Sequence, residues 1–226
     1  MSVRRVALIH ATPLAIAPVN EAFARLWPAA ERMNLLDDSL SADRAAAGTL
    51  TGAMIDRFRA LAGYCVEHGA AGVLFTCSAF GPAIEAARDA VAVPVLKPNE
   101  AMLVEALGLA GRGSGRVALL ATFAPTIASV ADEFRHLGTA RGVAAELVTH
   151  HVADAMAALD AGDGLRHDAL IADALERWDG WRDCAAILLA QFSMARARAA
   201  VAERVQIPVL VSTDSAVVAL RRAMGG

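Results

Sequence analysis

Cysteine is scarce in this chain of 226 residues, and its scarcity excludes two classes of protein. Only Cys65, Cys77 and Cys184 occur, at uneven spacing and without a Cys-x-x-Cys pair. A disulfide framework or a zinc cluster needs more cysteines at closer and more regular spacing. We therefore expect a protein of a reducing compartment.

An excess of charge of one sign and a long apolar run are also missing. Lys and Arg number 21 and Asp and Glu 24, so we expect neither nucleic acid nor an anionic membrane as a partner. No apolar stretch reaches the roughly 18 to 20 residues that cross a bilayer. The first residues are typical of a strand that ends in a proline turn, not of a signal peptide. These observations predict a soluble, cytoplasmic protein.

The chain does contain short apolar runs that alternate with longer segments rich in Ala, Leu, Arg and Glu. This alternation is typical of strands and helices in a parallel sheet. The predicted strands cover residues 3–9, 72–76, 93–96, 116–121, 144–148, 185–190 and 207–211. The pattern predicts an α/β fold with doubly wound parallel sheets, in which ligands bind at the carboxyl ends of the strands.

An internal repeat divides the chain into two similar halves. Residues 71–96 align without gaps with residues 185–210, an offset of 185 − 71 = 114, and both segments finish in Pro-Val-Leu. Arg-Val-Ala-Leu opens each half, at Arg5 and at Arg116. Similar composition alone would not align both the openings and the endings, so the repeat indicates two pseudo-symmetric lobes.

The predicted lobes are residues 1–110 and 116–226, and a Gly-rich linker at 111–115 joins them. The helix that ends the first lobe could pack on the second lobe. Glycines in the linker precede a strand, whereas a phosphate loop follows one, so a phosphate site is not expected there.

A polar cluster ends a strand at residues 74–82, Leu-Phe-Thr-Cys-Ser-Ala-Phe-Gly-Pro, where a buried strand leads into a helix. Backbone N–H groups and the helix dipole in such a turn stabilise a thiolate, so Cys77 is the candidate reactive thiol. Thr76 and Ser78 flank it and could bind a carboxylate. The alternative for Cys77 is a small buried hydrophobe, but packing alone favours apolar neighbours.

These features resemble the aspartate/glutamate racemase superfamily, which includes hydantoin racemases, maleate isomerases and arylmalonate decarboxylases. Phe-Thr-Cys-Ser-Ala-Phe is similar to the segment that carries the first-half cysteine of the racemases. Residues 119–126 are similar to the strand and turn that open the second half, and residues 10–13 occupy the matching first-half loop. The resemblance implies a site between the two lobes, with Cys77 as the catalytic residue.

The same resemblance implies a small carboxylate as substrate, and the sequence shows neither a metal-ligand cluster nor a nucleotide-binding motif, so we expect no cofactor and no metal. The expected substrate-binding residues carry hydroxyl or amide groups: Thr12, Thr76, Ser78, Thr122, Thr126, Gln191 and Ser193.

One departure from the family changes the expected chemistry. The position that duplicates Cys77 is 77 + 114 = 191, which is Gln191 and not a second cysteine. Racemisation with two thiols needs one to remove the α-proton and the other to deliver a proton, and an amide does neither. Racemisation of aspartate or glutamate by two cysteines is therefore not expected.

Other groups are weaker candidates for the second proton carrier. Ser193 is a poor base, and we expect it to cap the following helix. Cys184 begins a strand and is expected at the far end of the sheet, while Cys65 is expected in a helix core. His10, His150 and His151 follow or end strands and could act near neutral pH, but a structural role is the better interpretation of each.

Two classes of function remain. The first is a cofactor-independent isomerase of the racemase or cis-trans isomerase type, in which Cys77 is either a nucleophile that adds to an activated double bond or the single proton carrier, or alternatively a decarboxylase of malonate-type acids. The second is a small-acid-binding protein without catalysis on the same fold. An unrelated periplasmic-type binding module is disfavoured because no export signal is visible. Ala-rich helices could also form the interface of a homo-oligomer.

Overall fold

The computed structural model describes residues 4–225, and it contains two four-stranded parallel sheets with helices around them. By backbone contacts the chain divides into two compact units. The first unit comprises the residues up to Pro98 together with those from Ala216 onward, and the second comprises Asn99–Ser215. The lobe boundary at residues 111–115 stays a prediction.

The first sheet has the strand order β2-β1-β3-β4, and the second has the equivalent order β6-β5-β7-β8. The strands are β1 Arg5–His10, β2 Glu31–Leu36, β3 Gly72–Phe75, β4 Val95–Leu96, β5 Arg116–Ala121, β6 Glu146–His151, β7 Ile187–Leu189 and β8 Val209–Val211. All neighbouring pairs are parallel. The α/β fold class and its duplicated pattern are confirmed, although the first predicted strand starts at Val3, outside the described residues.

The helices connect the strands by crossovers, as parallel pairing requires. They are α1 Ile16–Leu26, α2 Ser39–Ala47, α3 Gly52–Glu67, α4 Gly81–Ala90, α5 Glu100–Ala110, α6 Ala124–Arg141, α7 Ala153–Asp160, α8 Gly164–Arg177, α9 Arg198–Ala202 and α10 Ser212–Ala223. Short 3₁₀ turns follow β1, β3 and β7 at Pro13–Ala15, Ser78–Phe80 and Phe192–Ala197. Three strands therefore lead into tight turns at the edge where ligands of parallel sheets bind.

Both central strands of the second sheet are buried on both faces, which explains their uninterrupted apolar sequences. Ala118 and Leu120 pack toward α8, whereas Val117 and Leu119 pack toward α5 and α6. Such strands lack the alternation of polar and apolar residues that a half-exposed strand shows.

A stack of three aromatic rings fixes the end of β3 in the first unit. Phe58 of α3 stacks on Phe75 and on Phe80, with ring centroids 4.9 Å apart in both pairs. Phe75 ends the strand and Phe80 ends the 3₁₀ turn, so the stack holds both sides of the segment that contains Cys77. Stacked pairs of this kind add about 0.5 to 1.5 kcal/mol to the free energy gained by burial.

Candidate active site

Cys77 lies directly after β3, at the carboxyl end of the first sheet. The Thr76 backbone N–H still donates to the Ile9 carbonyl at 3.0 Å, so sheet pairing continues to the residue before the cysteine. Cys77 itself is extended and precedes the 3₁₀ turn Ser78–Phe80 and helix α4. The strand-to-helix placement expected from the sequence is therefore what the structure has.

Cys77 is half-buried as a residue and packs beside the core cluster that contains Phe80. Burial raises the pKa of Cys77 above the usual value of a thiol, and a hydrogen bond from the Ala79 backbone N–H only partly offsets this. The expectation of a thiolate near neutral pH is wrong for the structure as it stands, because removal of the sulfur from water outweighs the one N–H donor of the turn.

Thr76 precedes the thiol, and its hydroxyl is already engaged inside the protein. Its Oγ1 lies 2.9 Å from Nδ1 of His10 and 3.3 Å from the Ile9 carbonyl oxygen. Thr76 is 6% exposed and His10 has no exposed surface. His10 therefore contacts Thr76 and not solvent, and burial lowers the pKa of its imidazole.

Two asparagines that the sequence did not single out complete this group. Nε2 of His10 lies 3.0 Å from Oδ1 of Asn34, and Nδ2 of Asn20 donates to the same oxygen at 2.8 Å. Asn34 lies on β2, a strand missing from the predicted set because its sequence is polar and its side chains are largely exposed. In the register of the β1–β2 pair, Asn34 lies beside Leu8, the residue before Ile9.

The equivalent strand end of the second unit is organised around Gln191. Its Oε1 accepts three hydrogen bonds: from the Thr122 backbone N–H at 2.7 Å, the Thr122 hydroxyl at 3.1 Å and the Phe123 backbone N–H at 3.2 Å. Gln191 precedes the 3₁₀ helix Phe192–Ala197, as Cys77 precedes its own 3₁₀ turn. Nε2 of Gln191 has no hydrogen-bond partner among residues 4–225. It is not among the buried side-chain atoms that lack a partner.

The remaining expected binding residues lie in the turns that follow strands. Thr12 caps the 3₁₀ turn after β1 by accepting a hydrogen bond from the Leu14 backbone N–H at 3.4 Å, and Ser78 begins the turn after Cys77. Thr126 is buried in the first turn of α6.

Ser193 is also buried, but its expected role as a helix cap is wrong. The structure places it inside the 3₁₀ helix Phe192–Ala197, whose cap position is Gln191.

The other cysteines lie where the sequence placed them, away from the carboxyl ends of the strands. Cys65 is fully buried in α3, and burial raises its pKa to about 11. Cys184 is buried three residues before Ile187, the first residue of β7, and donates to the Gly180 carbonyl at 3.5 Å. Of the three cysteines, Cys77 alone is only partly buried as a residue and lies at a carboxyl strand end.

The second unit has an open pocket of about 270 Å³ at the end of its edge strand β6. His150 and His151 line it with Arg177 and Trp178, and the His150 imidazole stacks on the Trp178 indole with centroids 4.9 Å apart. Burial, His151 and Arg177 all lower the pKa of His150. Both histidines therefore end a strand as expected, but one strand away from Thr122.

Among residues 4–225, no group of three or more His, Cys, Asp or Glu side chains is arranged to hold a metal ion. Within the same residues, every helix is too short or too polar to pass through a bilayer.

Comparison with known proteins identifies the family of this chain. A family model described as Asp/Glu/Hydantoin racemase matches residues 19–220. The chain belongs to this family. A search of the curated proteins found no match. The two equivalent parallel sheets agree with membership of the racemase family.

Solved structures show the same fold at low sequence identity. Glutamate racemase from Francisella tularensis, in complex with D-glutamate, superposes with a TM-score of 0.72 at 14% identity, over 100% of this chain and 82% of that one. Allantoin racemase from Klebsiella pneumoniae gives 0.68 at 20% identity, over 98% and 88%. A glycine-to-cysteine mutant of arylmalonate decarboxylase, with associated sulfate, gives 0.64 at 21% identity, over 98% and 94%.

Proposed function

We propose that this member of the racemase family is a cofactor-independent isomerase or racemase-type enzyme that acts on a small carboxylic acid through one cysteine, Cys77. Family membership supports the class of reaction. The observation that carries the assignment of the residue is the position of Cys77, only partly buried as a residue and at a carboxyl strand end, whereas Cys65 and Cys184 are buried elsewhere. Reactions next to a carboxylate need a group that moves a proton at the α-carbon, and a thiol can do so.

The protonation state of Cys77 bears on what the thiol does first. Because burial raises its pKa, the resting group is S–H and not S⁻. A neutral thiol is ready to donate a proton to a carbanion-like α-carbon, and it must first lose a proton before it can attack or abstract one. In the proposed isomerase cycle Cys77 is the single proton carrier. The S–H first loses its proton to water, and the thiolate takes the α-proton while the electron pair moves onto the carboxylate as an enediolate. The S–H so formed returns a proton to the substrate carbon.

The binding of the carboxylate is proposed to involve hydroxyl and amide groups at the strand ends. Ser78 begins the turn after the thiol, and Thr12 and Thr126 lie in corresponding turns after β1 and β5. In the second unit, Oε1 of Gln191 is saturated by three donors, so its amide N–H group is held in a fixed direction. We assign that N–H group, and not the carbonyl, to carboxylate binding.

The neutral thiol also favours a second candidate, decarboxylation of a malonate-type acid. There the bond between the α-carbon and one carboxylate breaks, CO₂ leaves, and the electron pair remains as an enediolate on the other carboxylate. The Cys77 S–H then protonates the α-carbon, and water restores the proton to sulfur. This sequence begins with the protonation state that burial of Cys77 favours.

The decisive experiment is a substrate panel in deuterated water. Dicarboxylates, hydantoins and arylmalonates are each incubated with the wild type, with Cys77→Ala and with Cys184→Ala, a control that removes a thiol from the amino end of β7. We expect deuterium at the α-carbon, or release of CO₂ for the decarboxylase, with the wild type and the control, and loss of at least about 100-fold with Cys77→Ala. Equal turnover by Cys77→Ala would refute the role of the thiol.

The non-catalytic alternative has its own signature in the same panel. A protein that only binds acids would give heat on titration with one of these compounds and no deuterium entry, and Cys77→Ala would leave the affinity within about twofold. That result would replace the enzyme proposal by an acid-binding function.

A further inference from the structure

A row of polar groups, exposed at Asn34 and buried at His10 and Thr76, connects helix α1 to the residue before Cys77. From the helix outward it runs from the Ile16 carbonyl to Asn20 at 2.8 Å, on to Asn34 at 2.8 Å, to His10 at 3.0 Å and to the Thr76 hydroxyl at 2.9 Å. Each contact is within hydrogen-bonding distance, so each pair must consist of one donor and one acceptor.

The Ile16 carbonyl determines which group is the donor in the first three pairs, up to Nε2 of His10. A carbonyl only accepts, so Asn20 must turn its NH₂ group toward it, and the same NH₂ group then faces Asn34. Asn34 must present its oxygen to Asn20, and that oxygen is also the atom beside Nε2 of His10. Nε2 of His10 therefore carries a hydrogen, whichever charge state the ring has.

The remaining ring nitrogen determines the direction of the Thr76 hydroxyl. Burial lowers the pKa of His10, so the neutral ring is favoured, and with hydrogen on Nε2 its Nδ1 is an acceptor. The Thr76 hydroxyl then donates to Nδ1 at 2.9 Å, in preference to the Ile9 carbonyl at 3.3 Å, which already accepts the Thr76 backbone N–H. With its only hydrogen used, Thr76 can only accept further hydrogen bonds.

We infer that His10, held by Asn34 and Asn20, is a positioning residue that fixes the Thr76 hydroxyl as a hydrogen-bond acceptor. Through Thr76 it holds the backbone segment that carries Cys77 in place. A carboxylate is only a hydrogen-bond acceptor. Thr76 in this state therefore accepts hydrogen bonds from N–H or O–H groups and does not bind the carboxylate of the substrate. His10 has no exposed surface, which excludes direct contact with a substrate. The part that concerns Cys77 rests on the proposed function.

The direction of the hydrogen bonds is tested without reference to activity. Protein labelled with ¹⁵N in its histidine rings is examined by long-range ¹H–¹⁵N NMR at neutral pH, and the His10 signals are assigned by their loss in His10→Asn. The expected result is the tautomer with hydrogen on Nε2 and an acceptor Nδ1. A ring with hydrogen on Nδ1 alone, or a doubly protonated ring, would overturn the inference even if Cys77 proves catalytic.

Two substitutions of His10 separate positioning from general stability. Asn places a polar atom near Nδ1 and can keep the bond to Thr76, whereas Gln places one near Nε2 and keeps only the bond to Asn34. We expect the pH midpoint of Cys77 alkylation by iodoacetamide, followed by peptide mass spectrometry, to stay within about 0.3 unit of wild type in His10→Asn and to move by more than about 0.5 unit in His10→Gln.

Unfolding in urea accompanies the alkylation as a check on the fold. Both variants lose one hydrogen bond of the same buried group, so we expect their midpoints to fall by similar amounts. Identical alkylation profiles for His10→Asn and His10→Gln, both folded, would show that His10 is only structural. The NMR experiment tests the tautomer of His10 independently of whether Cys77 proves to be catalytic.

Discussion

The side-chain oxygen of Gln191 lies 2.7 Å from the backbone nitrogen of Thr122, and it accepts two further hydrogen bonds from Thr122 and Phe123. Three converging donors form the kind of site that holds a carboxylate or an oxyanion. Here an oxygen of the protein itself satisfies them. The residue that stands in place of a second thiol thus contributes to the order of the turn between β5 and α6.

Replacement of Gln191 by Ala should therefore destabilise the fold by about 1 to 3 kcal/mol, since it leaves two backbone N–H groups and a hydroxyl without their acceptor. Urea unfolding measures the change. Gln206→Ala, on an exposed residue, is the matched control and should stay within about 0.5 kcal/mol of the wild type. A Gln191 variant as stable as this control would mean that the three hydrogen bonds contribute nothing.

Alkylation of Cys77 should be slow at neutral pH and should accelerate above the pH at which an ordinary thiol ionises. The reason is that burial raises the pKa of Cys77, and only the thiolate reacts. Rates of iodoacetamide modification between about pH 6 and 10, scored on the Cys77 peptide, give the midpoint, which we expect above about 8.5. A midpoint below neutrality would exclude the thiol as the resting proton donor.

Acidification should destabilise the protein in part through His10. Its pKa is lowered in the folded state, so below the unfolded value of about 6.5 the unfolded chain binds a proton that the folded chain does not. Stability attributable to this group is complete above that pH and is lost progressively as the pH falls toward the folded pKa. Urea unfolding at two pH values measures the slope.

The control for this pH dependence is a second histidine. His10→Asn should reduce the loss of stability on acidification, whereas His136→Gln, at an exposed position in α6, should leave it unchanged. An equal loss in the wild type and in His10→Asn would assign the effect elsewhere, for example to His150, whose pKa is also lowered.

Two helical glycines should respond oppositely to substitution by alanine. A Cβ at Gly138 would lie 2.9 Å from the Val143 carbonyl oxygen, whereas one at Gly63 would meet nothing within 4 Å. We expect Gly138→Ala to destabilise by about 1 to 3 kcal/mol, because the backbone at Val143 must move. Gly63→Ala should stabilise by up to about 1 kcal/mol through helix propensity. Thermal unfolding of both variants decides this, and a stabilised Gly138→Ala would contradict the packing.

The sequence predicted the sheets well where the strands are buried and poorly where they are not. The strands Arg116–Ala121 and Gly72–Phe75 are continuous apolar runs, because both faces are covered. The edge strand Glu31–Leu36 was missed since its side chains largely face solvent, so no apolar run marks it. Because that strand was missed, the sequence did not identify Asn34 as the hydrogen-bond partner of His10.

The position of Cys77 was predictable, but its chemical state was not. A Thr-Cys-Ser sequence after an apolar run indicates a strand end, which local pattern can reveal. The pKa of the thiol depends on how far the sulfur is removed from water, and the core cluster beside it includes Phe58, which comes from another helix. Likewise, the sequence showed that Gln191 replaces a cysteine, but only the three-dimensional structure shows that its oxygen is bound by Thr122 and Phe123.

The burial of Cys77 beside the core cluster that contains Phe58, Phe75 and Phe80 has a consequence for oxidative damage. Peroxide reacts with thiolates, so a sulfur kept in the S–H form beside these rings should be oxidised slowly at neutral pH. Cys65, the other thiol of the first unit, is fully buried within α3, so it is poorly placed to rescue a sulfenic acid at Cys77 by disulfide formation. The burial that raises the pKa of Cys77 would then also protect it against irreversible oxidation by peroxide.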